Sequence, residues 1–256
     1  SIKDYDDYTY HHSVNVSILS IAIGQRIGLN RRHITALGIA ALFHDIGKTE
    51  IPIEVLNNPS FLNEEEWEIM HMHPFWGAIS TLRLKGIDEI SAQSAIVAFQ
   101  HHMNYDLSGY PKLREPVALS FYSRIISIAD KYDAMTSSRV YKTVPMSPDK
   151  VLGVMMEKSG IEVDPVLLKF FVNMVGSYPA GTLVLLDTGE MGLVYEGNHI
   201  MSDRPKVMII VNASGSKVDG YSVDLTEKDP SGGFLRTITK TLDPKEYKIS
   251  LAEYLL

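Results

Sequence analysis

His44 and Asp45 stand side by side at the close of an apolar helical run, and further histidines and an aspartate recur downstream at helix ends or in apolar surroundings. Burying an imidazole beside a carboxylate is costly unless something pairs with them, and a divalent cation is the strongest available partner. Taken alone, a His-Asp pair reads better as a hydrogen-bonded core histidine next to a capping aspartate. The remaining candidates change that balance. His12 opens an amphipathic helix in which Val16, Leu19 and Ile23 share roughly its face, so its ring should point inward. His73 precedes Pro74 and Gly77, and Pro74 suits the first turn of a new helix, where a missing backbone donor costs little. His101 and His102 end the apolar run Ala95 to Phe99. Asp130 follows Ile125, Ile126, Ile128 and Ala129, where an unpaired carboxylate would be expensive.

Each of these has a structural reading of its own: His12 as a core histidine, His73 as a cap, Asp130 as half of an ion pair. Jointly, five imidazoles and two carboxylates make a mixed nitrogen and oxygen donor set that suits iron, manganese, nickel or zinc. Seven ligands exceed the need of one ion. With Asp45 as a bridge, two ions ~3.5–4 Å apart could share them, which is the spacing of two-metal phosphoryl-transfer sites. Such a pair would activate water for in-line attack on phosphorus. Lys48 could either hold a non-bridging phosphate oxygen or complement a helix C-terminus as a cation.

The elements that must position these groups read as helices over 9–28, 31–46, 64–84, 88–103, 117–136, 147–159 and 165–176. From His33 to Lys48, Ile34, Leu37, Ala41 and Phe43 supply the apolar spacing and Gly47 stands where a C-terminal cap belongs, which puts His44 and Asp45 in the last turn. Asn63 and Glu66 fit a capping box. The stretch Met103 to Pro116 holds Asp106, Ser108, Gly109, Pro111 and Pro116, the composition of a structured loop beside the paired histidines, and Asp106 is expected to orient one of those imidazoles. Near Ser177, Tyr178 and Pro179 the pattern changes to short β-type runs, 183–186, 192–195 and 207–211, separated by turn-rich stretches such as 187–190. The expected architecture is mainly α: a helical domain over 1–176 that carries the site, and a small, mainly antiparallel β subdomain over 177–256, packed on the helices as a structural or interaction surface.

With 256 residues and 45% hydrophobic content, the chain can bury one substantial core and a smaller second one. The absence of cysteine excludes disulfides and thiolate metal sites. Met155, Met156 and Met174 read as core gap-fillers. A formal net charge of −7 argues against DNA binding, which needs a basic face. No run is long and apolar enough to span a bilayer and the first residues form no signal-peptide pattern, so a cytoplasmic protein is expected. The start, so close to the first motif, suggests a piece of a longer protein with an upstream sensory region or signalling partner.

The chain resembles an HD-GYP domain, the branch of the HD phosphohydrolases that hydrolyses cyclic dinucleotides, chiefly cyclic di-GMP, in bacterial signalling. The resemblance is carried by His44-Asp45-Ile46-Gly47-Lys48, His73-Pro74 with Gly77, His101-His102, Asp106 followed by Gly109-Tyr110-Pro111, Ala129-Asp130 with Asp133-Ala134-Met135, then Arg139 and Tyr141. Order and spacing agree from about Tyr8 to Asp164-Pro165. Met103 stands where the family usually has Glu, and Leu107 where it usually has Gly; neither replaces an expected ligand. Some members hold a third ion with a Glu four residues before the first histidine. That position is Tyr8 here, and a phenol substitutes poorly for a carboxylate at neutral pH. Asp4, Asp6 and Asp7 nearby read as a solvated entry segment.

The resemblance therefore implies an HD-type helical bundle holding two divalent ions, iron or manganese ahead of nickel or zinc, on His12, His44, Asp45, His73, His101, His102 and Asp130. Asp45 and Lys48 would carry the chemistry. Lys48, Asp106, Gly109, Tyr110, Pro111, Arg139 and Tyr141 would contact the substrate. The implied reaction opens cyclic di-GMP to linear pGpG, with a second cut to GMP open. Two other classes compete: a non-catalytic receptor for a cyclic dinucleotide or partner protein, and an HD hydrolase of another nucleotide.

Overall fold

The computed structural model describes residues 2–58, 62–85, 88–137, 146–198, 200–242 and 247, the side chains of 2–8 and 84–85 excepted. The chain divides into two compact units, 1–146 with 154–171 and 147–153 with 172–256. In the first, helices α1 (Ile2–Arg26) and α2 (Arg31–Leu42) are followed by a 3-10 helix (Ile46–Glu50). Then come α3 (Ile53–Leu56), α4 (Glu64–Met70), α5 (His73–Lys85), α6 (Glu89–Gln100) and α7 (Phe121–Thr136). Helix α1 packs on α2 and α7, α2 on α6, and α6 on α5. The interior is built from Val16 and Ile23 of α1, Leu37, Ala40 and Ala41 of α2, Val97 and Ala98 of α6, and Ile125, Ile126, Ile128 and Ala129 of α7, all fully buried. Helices α8 (Pro148–Glu157) and α9 (Pro165–Val175) complete the helical elements among the described residues.

Several boundaries differ from the sequence reading. Helix α1 begins upstream, so His12 lies in its middle rather than at its start. Helix α2 stops at Leu42 with Phe43 as its cap, and His44 and Asp45 sit in the turn beyond it. Gly47 is not that cap; it belongs to the 3-10 helix, pressed against the start of α5. The helix expected over 64–84 is two, because Pro74 has no N–H to give the Met70 carbonyl and the ladder breaks there. The capping box of Asn63 and Glu66 is present at the start of α4. Helix α7 starts at Phe121, where the Ser120 hydroxyl accepts the Ser123 N–H at 3.0 Å, rather than at residue 117.

The second unit holds strands β1 (Leu183–Leu186), β2 (Met191–Glu196), β3 (Lys206–Val211), β4 (Lys217–Asp224) and β5 (Ile238–Leu242). They form one antiparallel sheet in the order β4-β3-β2-β1-β5. Val184, Leu186, Val194, Val207, Ile209, Val223 and Leu225 make one cluster, and Leu183, Ile210, Val211 and Leu242 another. The molecule is mainly helical with an antiparallel β unit, the class expected from sequence.

Candidate metal centre

Three histidines lie just past helix ends, and each uses a carbonyl of the preceding helix's last turn. His44 Nδ1 lies 2.7 Å from the Ala41 oxygen, His73 Nδ1 2.7 Å from Met70, and His101 Nδ1 2.8 Å from Ala98. The last carbonyls of a helix have no intrahelical partner, and for His73 the donor is missing because residue 74 is proline. A carbonyl only accepts, so Nδ1 carries the proton in all three rings and Nε2 presents a lone pair. Those Nε2 atoms converge on the Asp45 carboxylate. His73 and His101 lie 3.4 and 3.6 Å from Oδ1, while His44 and His12 lie 3.4 and 3.9 Å from Oδ2. The two oxygens of Asp45 thus face different histidine groups.

On the Oδ2 side, His12 Nε2 is 3.1 Å from Asp130 Oδ1, and His12 Nδ1 is 2.7 Å from Asp133 Oδ2. Asn15 and Ser137 donate to the other oxygen of Asp133, at 2.9 and 3.1 Å. His102 completes the other side, its ring 4.0 Å from that of His101. The donors separate into two groups, Asp45 with His73, His101 and His102, and His12 with His44 and Asp130, the ligand atoms of each within 4.8 Å of one another.

Burial pushes His44 down to about 4 and His73 to about 3, and it also lowers His102, so these rings are neutral near pH 7 with lone pairs available. For His12 burial acts the same way but is outweighed by Asp130 and Asp133, which raise it to about 9. Desolvation alone would raise Asp45 and Asp130, yet the surrounding cationic and imidazole groups hold both well below the usual carboxylate range.

A divalent cation fits this set on physical grounds. His73 Nε2 and His101 Nε2 face each other at 3.3 Å, although both are acceptors once Nδ1 holds the proton. His44 Nε2 and Asp45 Oδ1 are buried with no hydrogen-bond partner. Around Asp45 Oδ1, lone pairs packed together without a donor repel unless a cation lies among them.

The other expected residues are distributed unevenly. Lys48 Nζ donates to Asp45 Oδ2 at 2.6 Å. Tyr110 lies with its ring 4.7 Å from that of His102, and Gly109 packs on the His102 carbonyl. Pro111 follows through a cis peptide bond. Asp106 does not orient an imidazole: it is exposed, and its Oδ1 accepts the Ser108 N–H at 2.9 Å, closing its own turn. The carboxylate that does hold a ring is Asp133, overlooked because its partner lies 121 residues away. Leu107 has φ 68°, which explains why glycine suits that position, and Met103 is buried. Arg139 and Tyr141 lie outside the described residues, as do the side chains of Tyr8, Asp4, Asp6 and Asp7.

A model of the HD domain matches residues 2–167, more than half of the chain and the whole segment that carries these donors. The chain belongs to the HD domain family. A model described as a KOW domain associated with HD domain matches residues 183–250. The HD chain is 36% identical over 80% of its length to a protein of Pseudomonas aeruginosa named cyclic di-GMP phosphodiesterase, of which it covers 49%. It is 35% identical over 58% of its length to one of Vibrio cholerae named 3'3'-cGAMP-specific phosphodiesterase 1, of which it covers 33%. The chain spans half or less of both relatives. A solved HDG"Y"P protein from Bdellovibrio bacteriovorus shares the fold at TM-score 0.50 and 22% identity, over 64% of this chain and 51% of that one. Among the described residues, no helix is long and apolar enough to cross a membrane.

Proposed function

We propose that this chain is a metal-dependent phosphodiesterase that opens cyclic di-GMP to linear pGpG. The observation that carries the reading is the convergence of Nε2 atoms on Asp45, with no hydrogen-bond partner for its Oδ1 or for His44 Nε2. The relative named cyclic di-GMP phosphodiesterase supports the choice of substrate. One ion would be held by Asp45, His73, His101 and His102, and a second by Asp45, His12, His44 and Asp130. Bound there, two ions would polarise the phosphodiester and lower the pKa of the attacking water. The family resemblance puts iron and manganese first among the metals that such mixed nitrogen and oxygen ligands accept.

The protein groups have separate tasks in this scheme. Backbone carbonyls fix the tautomers of His44, His73 and His101, so these rings arrive with the correct nitrogen deprotonated. Asp133 holds His12 through Nδ1, so that Nε2, which faces Asp130 at 3.1 Å, is the nitrogen that would exchange its proton for an ion. Lys48, partly exposed beside Asp45, offers a cation to a non-bridging phosphate oxygen as charge builds in the transition state. Gly109, Tyr110 and Pro111 shape the nucleotide pocket, the family resemblance assigns Arg139 and Tyr141 contacts to phosphate or a guanine, and the catalytic region extends over 1–176 with the β subdomain following. Action in the cytoplasm under an upstream sensory region or signalling partner completes the proposal.

The test is turnover of cyclic di-GMP by protein loaded anaerobically with manganese or iron, with metal content measured on the same sample. Release of pGpG with about two ions bound supports the reading. A loaded protein that leaves cyclic di-GMP intact would defeat it. The Vibrio cholerae relative named for 3'3'-cGAMP favours a second reading, hydrolysis of that mixed dinucleotide. Competition between the two substrates in one assay separates them.

A further inference from the structure

The imidazoles of the centre are not all held alike. His44, His73 and His101 are anchored through Nδ1 to carbonyls and His12 to Asp133. Among the described residues no such hydrogen bond anchors His102, whose side chain is 24% exposed and whose Nδ1 is 3.9 Å from Asp130. Rings surround it instead. His101 lies at 4.0 Å, Tyr110 at 4.7 Å with planes 33° apart, and His73 meets its ring edge-on at 5.0 Å. Tyr110 stacks in turn with His71 at 4.1 Å and 35°, and His71 with Trp67 of α4 at 5.3 Å. An unbroken run of rings therefore leads from the half-exposed indole of Trp67 to a candidate metal ligand.

The backbone reinforces the same contact. The Tyr110 N–H donates to the His102 carbonyl at 3.1 Å. A Cβ on Gly109 would fall 2.1 Å from that oxygen, so only glycine lets the loop lie against it. The residue whose ring packs on His102 is thus tied to the backbone of His102 itself.

We propose that Tyr110, backed by His71 and Trp67, is a positioning residue for His102: stacked rings do for this imidazole what hydrogen bonds do for the other four. Partners that orient a metal ligand tune affinity about 10- to 100-fold when removed. The inference rests on His102 being a ligand, as the proposed function requires. It assigns Tyr110 a task in metal retention rather than only in substrate contact, and brings in His71, which no motif marked.

The experiment compares Tyr110→Phe, Tyr110→Ala and His71→Ala with the natural protein. Manganese affinity is measured for each ion by competition with a chelator, and folding is followed by circular dichroism. Tyr110→Phe keeps the ring and should keep both affinities. Tyr110→Ala and His71→Ala should weaken one ion about 10-fold or more and spare the other. His71 is exposed in the turn before α5, so its variant reports even if Tyr110→Ala does not fold. Unchanged affinities in His71→Ala and the folded Tyr110 variants, or Tyr110→Phe as weak as Tyr110→Ala, would overturn the proposal. Because the readout is metal and not turnover, a natural protein that binds two ions but leaves cyclic di-GMP intact would defeat the function and leave this inference standing.

Discussion

A histidine placed just beyond a helix end solves two problems at once. It gives a carbonyl of the helix's last turn a donor, and in doing so commits its outer nitrogen to be an acceptor. His44, His73 and His101 all do this, each with the carbonyl three residues back. Asp45 then collects their lone pairs. Replacing Asp45 by alanine is expected to empty the centre and abolish turnover, because both candidate ions depend on it. Lys48→Ala is expected to retain metal and lower kcat by about 10- to 1000-fold, the range for loss of one preorganised transition-state charge. Metal analysis beside steady-state kinetics checks both, and full occupancy with normal rates in Asp45→Ala would sink the two-ion reading. Much at this scale was legible in the sequence, since the seven donors stand at helix ends or on apolar faces and the structure brings all seven together. Asp133 was not, because its link to His12 spans most of the helical unit. Asp106 misled because proximity in sequence to the paired histidines says nothing about where its own turn points it.

Elements meet the site through close backbone approach. A Cβ on Gly47 would lie 2.0 Å from the His73 carbonyl and 2.3 Å from the Gly77 amide. The 3-10 helix carrying Lys48 therefore sits directly on the start of α5, and Asp45 and His73 are registered by that contact. Gly47→Ala is expected to force the two apart, costing about 1–3 kcal/mol as other overpacked substitutions do and reducing metal affinity together with stability. Urea unfolding paired with metal titration would show it; an unperturbed variant would mean that the register is set elsewhere. Helix ends were read with errors of a few residues because periodicity runs through them, whereas the proline at 74 and the caps at Ser120 and Phe43 decide where they stop. In the β unit the three apolar runs became β1, β2 and β3, but β4 and β5 bury only one residue each and left little pattern to read.

The turn before β2 depends on Glu190, which is buried and accepts from Arg236 at 2.8 Å, Thr188 at 2.6 Å and Tyr221 at 2.6 Å. The Arg236 hydrogen bond leads in lowering this carboxyl from 4.5 to about 2. A depressed carboxyl favours the folded state above its ordinary value and loses that contribution as pH falls toward 2. Hydrogen-exchange protection of β2 is therefore expected to fall between about pH 4.5 and 2. Glu190→Gln should weaken β2 protection at neutral pH by about 1–3 kcal/mol, the cost of leaving charged and polar partners unmatched, and should flatten the acid dependence. A variant with the same acid profile as the natural protein would rule out this carboxylate as its source.

At the scale of the whole molecule, the candidate ligands run from residue 12 to residue 130 and come from α1, the turn after α2, the start of α5, the end of α6 and the middle of α7. Helices distant in sequence thus meet at one cluster, and an ion held there would bind the folded chain far better than the unfolded one. Ligand binding of that kind stabilises by about 2.7 kcal/mol at a free concentration of 100 times Kd. The donors also suffer least repulsion when a cation lies among them, so metal and fold are thermodynamically linked. Removing metal with a chelator is expected to lower the urea midpoint followed by helical circular dichroism, and to loosen amide protection in α1 and α7. Restoring manganese should recover both, with a midpoint that rises with its concentration. Asp45→Ala should show the low midpoint whether or not metal is present, which separates lost linkage from an effect of the chelator itself. Equal midpoints for the natural protein with and without chelator would mean that this cluster is closed by its own ion pairs, with His12 between Asp130 and Asp133 and Lys48 on Asp45, rather than by a metal.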